Sequence, residues 1–165
     1  MTSKANQRAS EVARQIQKAF SDVPYPGDNR LVEGSTQEDV EVAELLRNRK
    51  SKVFTIDELR RNHEIVFFMT PEALQFYLPV FLVASVLHYG EAGNIPVSLV
   101  FLFTPPDPQD AAIQARFLAR FGSFNSGQRD AVKAFAEYLR DEHGADSISA
   151  SGTEEDATLL MRWWT

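Results

Sequence analysis

Thr70 to His88, TPEALQFYLPVFLVASVLH, constrains this chain more than any other stretch, because it is apolar on nearly every face of a helix. Its start carries a complete helix signal. The Thr70 hydroxyl can cap free amides, Pro71 suits the first helical position, and Glu72 favours the positive end of the dipole. A helix without a polar face belongs in the middle of a bundle or in a membrane. The unbroken apolar part, Phe76 to Leu87, falls well short of the roughly 20 residues that a span requires. A buried core helix is therefore expected, and no membrane contact. Pro79 has no N–H to give Gln75, so a bend is expected in mid-helix.

The remainder of the chain reads as cover for that helix. Ala9, Val12, Ala13, Ile16 and Phe20 follow helical spacing and predict an amphipathic helix from Gln7 to Phe20. Ser21 to Gly34 is rich in Pro, Gly, Asp and Asn and predicts a loop, with Pro26-Gly27 at the centre of a type II turn. Thr36 with Asp39, and Thr55 with Glu58, each form a reciprocal capping pair at a helix start. Asn125 with Gln128 frames another, for a helix from Ser126 to Glu142 that His143-Gly144 should end. Asp107 and Pro108 predict the start of a helix running to Phe121.

Residues 65–69 (IVFFM) and 97–103 (VSLVFLF) are short apolar runs whose periodicity fits a strand or a buried helical turn, the second being the better strand candidate. Asp146 to Gly152 reads as a polar linker, and Ala157, Leu160, Met161 and Trp164 as the stripe of a last helix. Trp163 falls off that stripe, and either tucks under the N-terminal helix or stands exposed. The expected fold is mainly α: one domain over 1–165, with six or seven helices packed around the buried helix 70–88. A chain of this length, 44% hydrophobic with twelve Phe, can bury such a core.

The chemistry-bearing residues are notable for what they do not form. There is no cysteine, hence no thiolate nucleophile and no Cys-based metal site. The three histidines, His63, His88 and His143, lie far apart, each near a proposed helix end. His63-Glu64 begins an H-E pair, but Phe67 stands where a second metal ligand would be needed. Ser85 lies on the apolar helix with no recognisable His and acid. No cofactor and no metal are expected, and an enzyme has no specific support. The opening residues lack the apolar run of a signal peptide, so a cytoplasmic location is expected.

Charge is the one uneven feature. Seven acids and one base fall between residues 21 and 45, in a chain of net charge −6. Acidic protein repels nucleic acid phosphate, so nucleic acid is not an expected partner. The first functional reading is a non-enzymatic, soluble protein-interaction module that binds a cationic partner protein through Asp22, Tyr25, Asp28, Glu33, Glu38, Asp39, Glu41 and Glu44. Immunity proteins that neutralise cationic toxins share this physical profile. Each feature also has a structural reading: the acids suit the start of the second helix, and Tyr25 can pack on the core while Asp28 caps its turn. The second functional reading is an enzyme or small-ligand-binding protein. Its pocket would lie between the bent helix and the VPYPGD loop and gather Glu72, Tyr77 or His88.

VPYPGD at 23–28 and TPEALQFYLPVFL at 70–82 occur with FLFTPP at 101–106 and FNSGQRDAVKAFAEYL at 124–139. In this combination the chain resembles a family of uncharacterised bacterial domain proteins, over Ala9 to Leu139. The resemblance implies one bacterial domain and carries over no activity, cofactor or catalytic residue.

Overall fold

The computed structural model describes residues 3–148 together with 163 and 164, the side chains of 145–148 excepted. Seven α-helices follow one another among these residues: α1 (Lys4–Ala19), α2 (Gln37–Arg47), α3 (Ile56–Arg61), α4 (Pro71–Leu87), α5 (Ile95–Phe103), α6 (Ala111–Phe121) and α7 (Ser126–Ile148). A 3₁₀ turn, His63–Phe67, links α3 to α4. No helix among the described residues is long and apolar enough to cross a membrane.

Helix α4 is the hub, packed against α1, α3, α5, α6 and α7. Leu74, Tyr77, Leu78, Phe81 and Leu82 have no exposed surface, and one continuous buried cluster joins residues of all seven helices around them. The helix runs through Pro79. Its start is built as its residues predict. The Thr70 hydroxyl accepts from Ala73 N–H at 3.1 Å and donates to the Arg30 carbonyl at 2.6 Å. Thr70 N–H also bonds the Leu31 carbonyl, and Val32 forms an isolated antiparallel bridge with Met69. These bonds pin the 21–34 loop to the head of the core helix.

Neither apolar run is a strand. Residues 97–103 belong to α5, whose Ile95, Pro96, Leu99, Val100, Leu102 and Phe103 are buried. With no neighbouring strand to pair with, backbone groups in such an apolar setting are satisfied by helical bonds within the segment. Residues 65–67 lie in the 3₁₀ turn, and Met69 contributes only the single bridge to Val32.

Three helix boundaries also move. Helix α1 starts at Lys4 rather than Gln7, because Ser3 caps it by accepting from Asn6 N–H. Helix α6 starts at Ala111, capped by Asp110; Asp107 instead accepts from Gln109 N–H at 2.9 Å and closes a local turn. Gly144 leaves helical geometry at φ 34 and ψ −116, where the stop was expected, yet helical backbone continues to Ile148. The expected linker is thus helical over 146–148, and its remainder, with the expected last helix up to Arg162, lies outside the described residues.

The two tryptophans close the far end of the core. Trp164 is buried and its Nε1 donates to the Phe103 carbonyl at 3.0 Å, serving the last turn of α5. Trp163 is neither under α1 nor exposed. Its ring meets Phe117 edge-on at 4.8 Å, with the Arg129 guanidinium over it at 4.4 Å.

Because Leu78 and Phe81 have no exposed surface, truncating them should open cavities that their neighbours cannot fill. Leu78→Ala or Phe81→Ala is expected to cost about 2–5 kcal/mol in urea unfolding, whereas Leu118→Ala on the surface should stay within about 0.5 kcal/mol. Equal effects at core and surface would show that α4 is not the hub.

Candidate functional site

The 21–34 loop is organised by Tyr25. Pro24 and Pro26 fix the backbone on both sides, and Gly27 takes the positive φ of 100° that the turn requires. The Tyr25 ring stands edge-on to Phe76 at 5.5 Å, and its hydroxyl donates to Asp28 Oδ1 at 2.7 Å. Lys50 completes the group, its ammonium 2.9 Å from the same carboxylate oxygen and 5.2 Å from the ring centre. The bonds from Tyr25 and Lys50 hold the Asp28 carboxyl below its ordinary range, while burial and the Asp28 charge raise the phenol. This loop is an internally satisfied unit.

The acids that cluster in sequence therefore divide in space. Asp39 is 6% exposed and caps α2: its carboxylate accepts from the Thr36 hydroxyl at 2.6 Å and the Thr36 N–H at 2.8 Å. A Cβ at Gly34 would collide with that carboxylate, so a larger residue there would push Asp39 out of its capping position. Glu33 receives Arg116 of α6 at 3.1 Å, across 83 positions of sequence. Asp28 is engaged as above, and Asp22 is exposed.

Glu38, Glu41 and Glu44 remain, spaced i, i+3, i+6 along the solvent side of α2. None of the three has an ion pair among the described residues; Glu41 accepts only from Gln37, at 2.9 Å. Val40, 54% exposed, stands beside them.

This stripe borders a groove of about 360 Å³ between α2 and the 3₁₀ turn. Val42, Leu45, Ile65 and Phe68 give it an apolar lining, Glu38 and Glu41 stand on one side, and His63, Glu64 and Arg61 on the other. His63 is held by Ser98, with Nδ1 and Oγ 2.7 Å apart. Glu64 and Phe68 were invisible as site residues in the sequence. They join the α2 acids only because the 3₁₀ turn folds back beside α2.

A cleft of about 440 Å³ lies beside Pro79; of the residues named in the second functional reading it takes His88, while no residue of the VPYPGD loop is among its lining. Its walls come from α4, the end of α1 and the 52–59 segment, and it includes His88. Glu72 is on the surface opposite Arg30 at 3.2 Å. Tyr77 is fully buried and donates to the Leu46 carbonyl at 2.7 Å, and burial pushes its phenol up to about 12. Ser85 is buried too, its hydroxyl spent on the Phe81 carbonyl at 3.0 Å. His143 is stacked on Tyr89 at 3.5 Å. The three histidines thus occupy three separate settings.

A family model described as "Family of unknown function (DUF6714)" matches residues 8–165. The chain belongs to that family. No curated protein and no solved structure matches it.

The capping carboxylates give a pH dependence with a definite sign. Asp39 and Glu58 are lowered from their ordinary values, the first chiefly by the Thr36 hydroxyl, the second chiefly by the Thr55 N–H. With folded values below unfolded ones, their stabilisation is complete above the ordinary carboxylate range near about pH 4 and is lost as pH falls through the depressed values. Asp39→Asn should lower the urea midpoint at neutral pH and make its decline in acid shallower. A decline as steep as in the unmodified protein would show that this cap is not linked to proton binding.

Proposed function

We propose that this protein is a non-enzymatic interaction module of the bacterial cytoplasm that receives a basic segment of a partner protein on its acidic α2 face, in the manner of an immunity or antitoxin protein masking a cationic toxin. The observation that carries this reading is the row Glu38, Glu41 and Glu44, left without ion pairs among the described residues while the neighbouring Asp28, Glu33 and Asp39 are committed within the fold. The adjoining groove adds shape to charge. Lysine and arginine present an apolar stem and a charged tip, which suits a lining of Val42, Leu45 and Phe68 between carboxylates on two walls. Complementary charge speeds encounter and orients the partners.

The lining of the cleft beside Pro79 weighs in the same direction. It offers Gln17, Ser21, Lys52 and His88 between apolar walls, with no acid among its lining residues. General acid–base or nucleophilic chemistry needs several polar groups converging on one point. The absence of cysteine and the net charge of −6 fit a reducing compartment and a basic partner.

The test is an NMR titration of the ¹⁵N-labelled protein with an acetyl-Lys-Leu-Lys-Leu-Lys-amide peptide. Amide shifts are expected around Glu38, Glu41, Glu44 and Glu64, weakening as salt rises from about 0.05 to 0.3 M. The double change Glu38→Lys/Glu41→Lys should abolish them while thermal unfolding stays cooperative. Undiminished peptide binding by the charge-reversed protein would sink the proposal. A photo-crosslinker at position 44 in the producing cells should recover a basic protein; an acidic one would contradict the reading equally.

A further inference from the structure

A second groove, of about 320 Å³, lies between the head of α6 and the end of α5, on the other side of the 3₁₀ turn from the acidic one. Consecutive residues face the two: Phe68 lines the acidic groove and Phe67 this one. Phe101 and Ile113 stand at its rim, 69% and 53% exposed, with the Phe67 and Phe101 rings edge-on at 5.8 Å. Two large apolar side chains are thus exposed beside an apolar groove, where a partner could cover them.

Its charged residues are Arg116 and Arg120. Arg116 reaches Glu33, but Arg120 has neither hydrogen bond nor ion pair among the described residues, and its Nε is buried without an acceptor. Burial first, and then the neighbouring Arg116 charge, lower its pKa, with only Glu33 opposing them. A buried N–H without an acceptor destabilises the fold, and the half-buried guanidinium that carries it has no counter-charge among the described residues. An apolar side chain of similar length would serve the fold better at this position. The arrangement makes sense when an anion completes it.

We propose that this groove docks an acidic segment of a partner protein in which a carboxylate stands next to an aromatic or large aliphatic side chain. The carboxylate accepts from Arg120, supported by Arg116, and the apolar side chain covers Phe67 and Phe101. Charge selects this occupant over others: two guanidiniums repel a basic segment, and a purely apolar one leaves the Arg120 guanidinium without a counter-charge. The contact stands apart from the α2 site in residues and in sign of charge, so either can fail alone.

The test uses acetyl-Glu-Glu-Phe-Glu-Glu-amide, with the Lys-Lys-Phe-Lys-Lys counterpart as control, and follows amide shifts together with thermal unfolding. The acidic peptide is expected to move Phe67, Phe101, Ile113 and Phe117. Arg120→Met should weaken its binding at least about tenfold, the size of one lost charge-assisted hydrogen bond, while leaving Tm unchanged or raised. A purely structural Arg120 would instead lower Tm on substitution. Should Arg120→Met fail to fold, a structural role is shown and the proposal falls. Arg116→Gln, at a more exposed position, should weaken the acidic peptide less than Arg120→Met does. Equal movement of Phe67, Phe101, Ile113 and Phe117 by both peptides, binding unaffected by Arg120→Met, or shifts from the acidic peptide confined to the α2 face would each overturn the proposal. Sedimentation that showed a second copy of the chain covering Phe101 and Ile113 would do the same.

Discussion

Helix α4 has no face that can be given to water, and the rest of the structure depends on that. Each helix around it supplies one apolar stripe, and its two ends need polar closure because a buried helix terminus leaves backbone groups without partners. At the start, Thr70 answers both needs, capping α4 with its oxygen and fastening the loop through its hydroxyl and N–H. At the other end of the core, Tyr138 donates to the Val86 carbonyl and Trp164 to the Phe103 carbonyl. Large aromatic side chains thus bring both their volume and a hydrogen-bond donor into the interior.

The two grooves follow from how that cover is assembled. The 3₁₀ turn is too short to be a full covering helix, so it stands as a ridge with a furrow on each side, one towards α2 and one towards α5 and α6. Glu38, Glu41 and Glu64 outnumber Arg61 in one furrow, and Arg116 and Arg120 line the other. The Glu33–Arg116 pair joins the acidic segment to α6, and what it leaves over is charge of opposite sign on either side of the turn. Opposed charge on neighbouring surfaces favours one orientation of a partner over its reverse. Exposed ion pairs of this kind add little to stability, so stability alone does not account for this charge pattern.

Features governed by neighbouring residues were legible in the sequence. The capping pairs Thr36–Asp39, Thr55–Glu58 and Asn125–Gln128 are all present, because each closes within one helical turn and needs nothing from elsewhere in the chain. The positive φ at Gly27 and the break at Gly144 are local in the same sense. The 97–103 run was not legible, since an apolar β-branched segment is a strand or a helix according to what lies beside it. Asp107 and Asp110 show a finer limit: both can cap, and three residues of loop geometry decide which one does.

The sequence by itself determined that this chain is a helical bundle built on residues 70–88, for a helix apolar all round has no other stable place outside a membrane. It also set the surplus of acid between residues 21 and 45. Only the tertiary structure decided which of those acids are already engaged. Asp39 is spent in a cap, Asp28 in the Tyr25–Lys50 group and Glu33 in a bridge from α6, while Asp22, Glu38, Glu41 and Glu44 are exposed without ion pairs among the described residues. Composition counts charges, but whether a charge is available depends on partners that folding brings from as far as 83 positions away. The same reason holds for Arg120, which reads as one more surface base until packing buries its Nε with nothing to accept from it.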